Sequence, residues 1–170
     1  MGSGSSGPYR GTNGGSQPYA ERYHVVGSEL NKDKGDPDIY HPTTGYFRNP
    51  TARKLSDAIT PTRIVFEGKS AEGTMTYVMD KDGNIIFGKR ANPNDARKRA
   101  PHPTLIGGKD PQVQCAGMIT FHKGRILSVN NQSGHYRPNI QSMEKVDAAL
   151  QKLFEKFPGA FDKESKWRKK

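Results

Sequence analysis

Thr74-Met75-Thr76-Tyr77-Val78-Met79-Asp80-Lys81-Asp82-Gly83-Asn84-Ile85-Ile86-Phe87-Gly88 is the stretch that decides the fold. Its β-branched and aromatic runs predict two strands, Thr74 to Asp80 and Asn84 to Gly88. The Asp-Lys-Asp-Gly-Asn break between them predicts a tight hairpin in which Gly83 supplies the positive φ. Upstream, Thr62-Arg63-Ile64-Val65-Phe66 predicts another strand. Downstream, Val113 to Phe121 and Arg125 to Asn130 predict a second hairpin turning at His122-Lys123-Gly124. Leu127 and Val129 alternate there with Ile126, Ser128 and Asn130, which predicts a half-buried ribbon. Ile140, Met143, Val146, Leu150, Leu153, Phe154 and Phe157 then recur at helical spacing. They predict an amphipathic helix capped by Asn139 and stopped by Pro158-Gly159. The fold class is α+β: a small antiparallel sheet of two hairpins, a C-terminal helix packed on it, and disordered basic tails.

Apolar residues thin out on both sides of this region. Residues 1–22 read as a flexible tag or linker, and 23–61 as a loop-rich segment broken by Asp36-Pro37, His41-Pro42, Asn49-Pro50 and Thr60-Pro61. One short helix fits between Thr51 and Ile59, with Thr51 as its cap. Residues 62–157 form the expected compact domain, and 158–170 a basic tail. The hydrophobic share is only 32%, so part of the chain lies outside any core. The net charge of +10 and pI near 9.7 favour an anionic partner. No apolar window approaches the ~18 residues of a membrane span, and no secretory apolar stretch is present. The opening Met-Gly-Ser-Gly-Ser-Ser matches an acylation pattern but reads more simply as a Gly/Ser linker. The single cysteine, Cys115, excludes an intrachain disulfide and a cysteine-rich zinc site, and its strand position predicts burial.

In sequence order, the Asp-Lys-Asp-Gly-Asn turn is followed by His102-Pro103-Thr104-Leu105-Ile106-Gly107-Gly108 and an Ala116-Gly117-Met118-Ile119 strand. A Lys-Gly-Arg-Ile-Leu hairpin and the corner Ser133-Gly134-His135-Tyr136-Arg137-Pro138 come next. From about Tyr77 to Phe157 this order resembles a C-terminal domain of bacterial polymorphic toxins and effectors. It is also similar to the conserved region of plant IQ-motif calmodulin-binding proteins. His102, Thr104, Gly107, Gly108, Ala116 and Gly117 fall on matching positions, and the corner is the most specific part. The chain has Pro103-Thr104 where the family carries two serines, and it lacks an Ile-Gln motif, which argues against calmodulin as a partner. The resemblance implies an effector or toxin module, delivered to act in a target-cell cytoplasm.

His102 and His135 both lie in Gly/Pro-rich loops beside strand ends, where a general base and a general acid near neutral pKa are at home. The plainer reading is that His135 locks its corner by hydrogen bonding while His102 is merely exposed. Ser133 offers a hydroxyl to a substrate or closes a local turn; Tyr136 stacks on a base or packs on the helix. Lys89, Arg90, Arg97, Lys98 and Arg99 crowd the loop leading to His102, and Arg137 adds a cation beside His135. Guanidinium forks match phosphate geometry, although such a run also serves as a solvated face. Arg125 is a further cation on its hairpin. Metal ligation is not expected: Asp33, Asp36 and Asp38 lack the rest of a calcium loop.

Three functions follow as expectations. The first is a metal-independent ribonuclease with His102 and His135 as acid–base pair, Ser133 and Tyr136 beside them, and Arg137, Arg99, Lys98, Arg97 and Thr104 on the substrate. The second is an ADP-ribosyltransferase effector that holds NAD through Arg63 or Arg99; Glu67, Glu72 and Glu144 are its nearest acidic candidates. The third is a non-enzymatic module that grips an acidic protein, such as an immunity protein. No cofactor is expected unless the second holds.

Overall fold

In a computed structural model of the chain, described over residues 40–41, 46–47, 51–80, 82–89, 105, 113–132 and 143–168, both expected hairpins join one sheet. Its strands are β3 (Arg53–Lys54), β6 (Gly73–Met79), β7 (Ile85–Gly88), β8 (Cys115–His122) and β9 (Arg125–Val129). They are antiparallel neighbours in the order β3-β7-β6-β8-β9. Two small hairpins stand apart from it: β1 (Tyr40–His41) with β2 (Tyr46–Phe47), and β4 (Val65–Phe66) with β5 (Lys69–Ser70). The main helix, α2, spans Met143–Lys156, and α1 is a single turn at Leu55–Ala58. The architecture is α+β.

The β6–β7 turn closes as its sequence requires. Asp80 is buried, and its Oδ1 accepts the backbone N–H groups of Asp82 (2.9 Å) and Asn84 (2.8 Å). A short carboxylate that takes up turn donors is why aspartate suits this position. The β8–β9 hairpin turns on Lys123 and Gly124, both with positive φ, the backbone shape that matches strand twist. β6 and β8 pair from Gly73↔Phe121 to Met79↔Cys115, the longest register in the sheet.

Strand alternation gives the sheet two faces. Met75, Tyr77, Met79, Phe87, Ile119 and Phe121 form the first, on which Val146 and Leu150 of α2 pack. Phe87 anchors this layer, 5.4 Å from Phe66 and 5.3 Å from Phe121 between ring centres. Val78, Ile86 and Ala116 form the second, covered by Ala52, Leu105 and Val113.

Five expectations are corrected. Residues 62–63 are turn rather than strand, and the expected strand shortens to β4 because Thr60 accepts from Arg63 N–H (3.0 Å) to close a turn. Thr51 does not cap a helix; its Oγ1 accepts from Lys89 N–H (2.9 Å), tying it to the end of β7. In β9 the fully buried residue is Ile126, while Leu127 and Val129 are half-buried. A register shift between Thr120 and Phe121 inserts an extra residue and changes which side chains face inward.

The fourth concerns the expected basic tail, since residues 158–168 complete the core. Phe161 and Trp167 are fully buried. Phe161 meets Phe154 edge-on at 5.4 Å and Trp167 at 5.6 Å. Asp162 N–H donates to Ile126 O (2.9 Å), so this segment also covers part of the outer edge of β9. Arg168, within the expected basic tail, donates to Pro158 O (2.6 Å) and Phe161 O (2.9 Å) and lies over Phe154. Ala52, Leu55, Ala58 and Ile59 are likewise buried, so the folded unit begins before residue 62.

Candidate functional site

The residues expected to carry chemistry or bind substrate, His102, Thr104, Arg97, Lys98, Arg99, Ser133, His135, Tyr136 and Arg137, lie outside the described residues, as do Arg90 and Asn139. Of the described residues near them in sequence, Leu105 and Asn130 are both held by the sheet. Leu105, three residues after His102, is fully buried on the second face with Val78, Ile86 and Ala116. Gly88 makes room for it: a methyl group there would stand 2.9 Å from both Leu105 Cδ2 and Thr51 Oγ1.

Asn130 is held on the first face. As the chain leaves β9 it crosses Gly117 so closely that a Cβ on Gly117 would lie 2.6 Å from the carbonyl carbon of Asn130 and 2.9 Å from Asn131 Cα. Tyr77, paired with Gly117 across β6 and β8, donates its hydroxyl to Asn130 O (2.6 Å). The Asn130 side chain accepts from Met118 N–H (2.9 Å) and Gln132 N–H (3.0 Å), and Asn130 N–H donates to Met118 O (3.0 Å). Burial, with the neighbouring Cys115 thiol adding to it, pushes the Tyr77 phenol far above its ordinary range. The un-ionised phenol is the form that donates to Asn130 O.

These anchors fall on opposite faces of the sheet.

A groove of 660 Å³ opens where α2 passes the β6–β7 turn. One wall is helical and carries Lys145, Lys152 and Lys156. Spacings of seven and four residues stack these lysines on one stripe, within ~40° of one another about an axis that turns 100° per residue. Glu144, Asp147 and Glu155 lie on a different stripe of the same helix, and Asp147 pairs with Lys166 at 2.8 Å. α2 thus presents an apolar stripe to the core, acids to one side and lysines to the groove. The opposite wall is the turn, with Asp82 and Asn84, and Leu55, Ile85 and Leu153 supply apolar lining. Lys145 is held by Gln114 Oε1 (3.1 Å), whose Nε2 donates to Asp80 O (2.8 Å), fastening helix and turn together. Lys152 and Lys156 are exposed.

No family profile, curated protein or solved structure matches this chain. The groove and its geometry therefore stand by themselves.

Of the other cations named from sequence, Lys89 pairs with Glu67 at 2.9 Å and lies over Phe66. Arg125, paired with His122, sits at the end of β8 away from Cys115 and the groove. Cys115 is buried, as its strand position implied. Among the described residues no three potential metal ligands gather, and no helix is long and apolar enough to cross a membrane. The lysine stripe was the signal missed. Lys145, Lys152 and Lys156 recur at helical period, but attention to clustered charge favours runs such as 97–99 over cations spread along three turns.

Proposed function

We propose that this domain is an effector or toxin module that binds RNA along the lysine-lined groove and cleaves it with the loop histidines. The observation that carries the binding half is the charge sorting on α2. Three lysines share the groove stripe while the acids of the same helix lie elsewhere, an arrangement that mere solubility does not require. Low-dielectric walls beside a row of cations concentrate field on a polyanion.

In the cleavage step one of His102 and His135 removes the ribose 2′-OH proton and the 2′-oxygen attacks phosphorus. The other histidine protonates the departing 5′-oxygen, leaving a 2′,3′-cyclic phosphate and a 5′-hydroxyl. Arg97, Lys98, Arg99 and Arg137 are assigned to the phosphate charge that builds in the transition state. Support for this half is the residue types around His102 and His135 in the sequence.

The test is incubation of a 5′-labelled RNA with the chain, with His135→Ala, and with Lys152→Glu/Lys156→Glu, each in EDTA. Cyclic-phosphate fragments are expected from the parent chain. The histidine variant should bind without cutting, and the lysine variant should bind at least tenfold more weakly. Cleavage that persists in His135→Ala overturns the histidine assignment. Tight binding without cleavage by the parent chain leaves a non-enzymatic module, and a dinucleotide-dependent mass gain would point to a transferase instead.

A further inference from the structure

We infer that the groove selects a single strand, with the polynucleotide backbone on the α2 wall and an unstacked base against the apolar lining; this rests on the reading of the groove as a phosphate site. Three features of the groove argue for it together.

The walls differ in charge. Lys145, Lys152 and Lys156 line one side, and Asp82 stands on the other beside Asn84. A phosphate is drawn to the helix and repelled by the turn, so a strand entering the groove has only one favourable orientation across it.

The lysines also form a row rather than a cluster. Lys152 and Lys156 are one turn apart, a rise of ~6 Å, and Lys145 extends the row to ~16 Å. A row of that length follows phosphates along an extended strand, whereas a single phosphate group would be served by convergent cations.

Between the walls the lining is aliphatic, with Leu55, Ile85 and Leu153. The volume of 660 Å³ is ample for a nucleobase with its sugar. Bases of a duplex are stacked and paired and present only groove edges and backbone, so they gain nothing from an apolar slot. Splayed bases of a single strand do. The shared chemistry is a single-stranded polynucleotide, which RNA or DNA can supply.

The salt dependence follows from the count of lysines. Three phosphates neutralised on a single strand give a log–log slope near −2, or about 20-fold weaker binding between 50 and 200 mM salt. Lys152→Glu/Lys156→Glu removes two of the three and should flatten that slope by more than half.

Fluorescence anisotropy on the full chain, with His135→Ala in the background to prevent cutting, tests the inference. The probes are an unstructured labelled RNA, the same RNA annealed to its complement, and a DNA strand of the same sequence. The single strand is expected to bind at least tenfold tighter than the duplex, with the charge swap abolishing that preference. The RNA and DNA arms identify which strand is the source, and either satisfies the inference. Equal binding of single strand and duplex, both weakened by the charge swap, overturns single-strand selection while leaving the phosphate reading intact. Binding indifferent to the charge swap overturns both. The swapped lysines are exposed, and an unchanged thermal melt verifies that the variant is folded.

Discussion

Gly117→Ala tests whether the path of the chain out of β9 is set by close packing. In an ordinary strand, replacing glycine by alanine stiffens the unfolded chain and stabilises by ~0.4–1 kcal/mol. Gly117 is not among the positive-φ glycines, so its backbone gives no reason to expect otherwise. Packing gives the opposite sign. The new methyl would stand 2.6 Å from the carbonyl carbon of Asn130 and 2.9 Å from Asn131 Cα, where ordinary carbon contacts need ~3.5–4.0 Å. The crossing segment must then lift by roughly 1 Å. It is held by the 2.6 Å bond from Tyr77, the 2.9 Å bond from Met118 N–H and the 3.0 Å bond to Met118 O. Weakening the three by roughly half, ~1.5 kcal/mol together, with overpacking of ~1–3 kcal/mol and less the ~0.4–1 kcal/mol of chain stiffening, gives a net loss of about 2–4 kcal/mol. For a folded unit of this size that lowers Tm by about 10–20 °C. Thermal and urea unfolding followed by circular dichroism measures it. A Tm that rises or stays level would show that the segment does not lie against Gly117. Residues 133–138 follow directly, so the same variant should lower any activity that depends on His135.

Tyr77→Phe should cost about 1–3 kcal/mol, because the half-buried Asn130 carbonyl loses its donor. The Tyr77 phenol is raised above its unfolded value, so its contribution is complete below pH ~10 and declines as pH rises further, by about 1.4 kcal/mol per unit. Urea midpoints between pH 8 and 11 should therefore converge for the two proteins at the alkaline end, and parallel curves would contradict the assignment. Trp167→Ala empties a fully buried site and should cost ~3–5 kcal/mol. A loss under about 1 kcal/mol would mean that residues 158–168 do not complete the core.

The local signals in this sequence were strong where an element is defined by its own residues. The hairpin around Asp80 and Gly83 and the one around Lys123 and Gly124 were both legible, as was the apolar stripe of α2. Each depends on strand alternation, helical period or a turn residue within a few positions. Tertiary partners decided the rest. Phe161 and Trp167 sit in a stretch dense with lysine, and nothing nearby reveals that Phe161 meets Phe154 and Ile126 while Trp167 packs on Phe161. Thr51 reads as a cap until Lys89, far along the chain, takes its hydroxyl.

The candidate site divides in the same way. Residue types alone singled out His102 and His135 as chemistry and the net charge as a sign of an anionic partner. Only the packed structure put Leu105 and Asn130 on opposite faces of one sheet, and only the docking of α2 beside the β6–β7 turn made three dispersed lysines into one wall of a groove. A periodic pattern states which residues share a face. What that face meets is decided by contacts between segments distant in sequence, which no local pattern encodes.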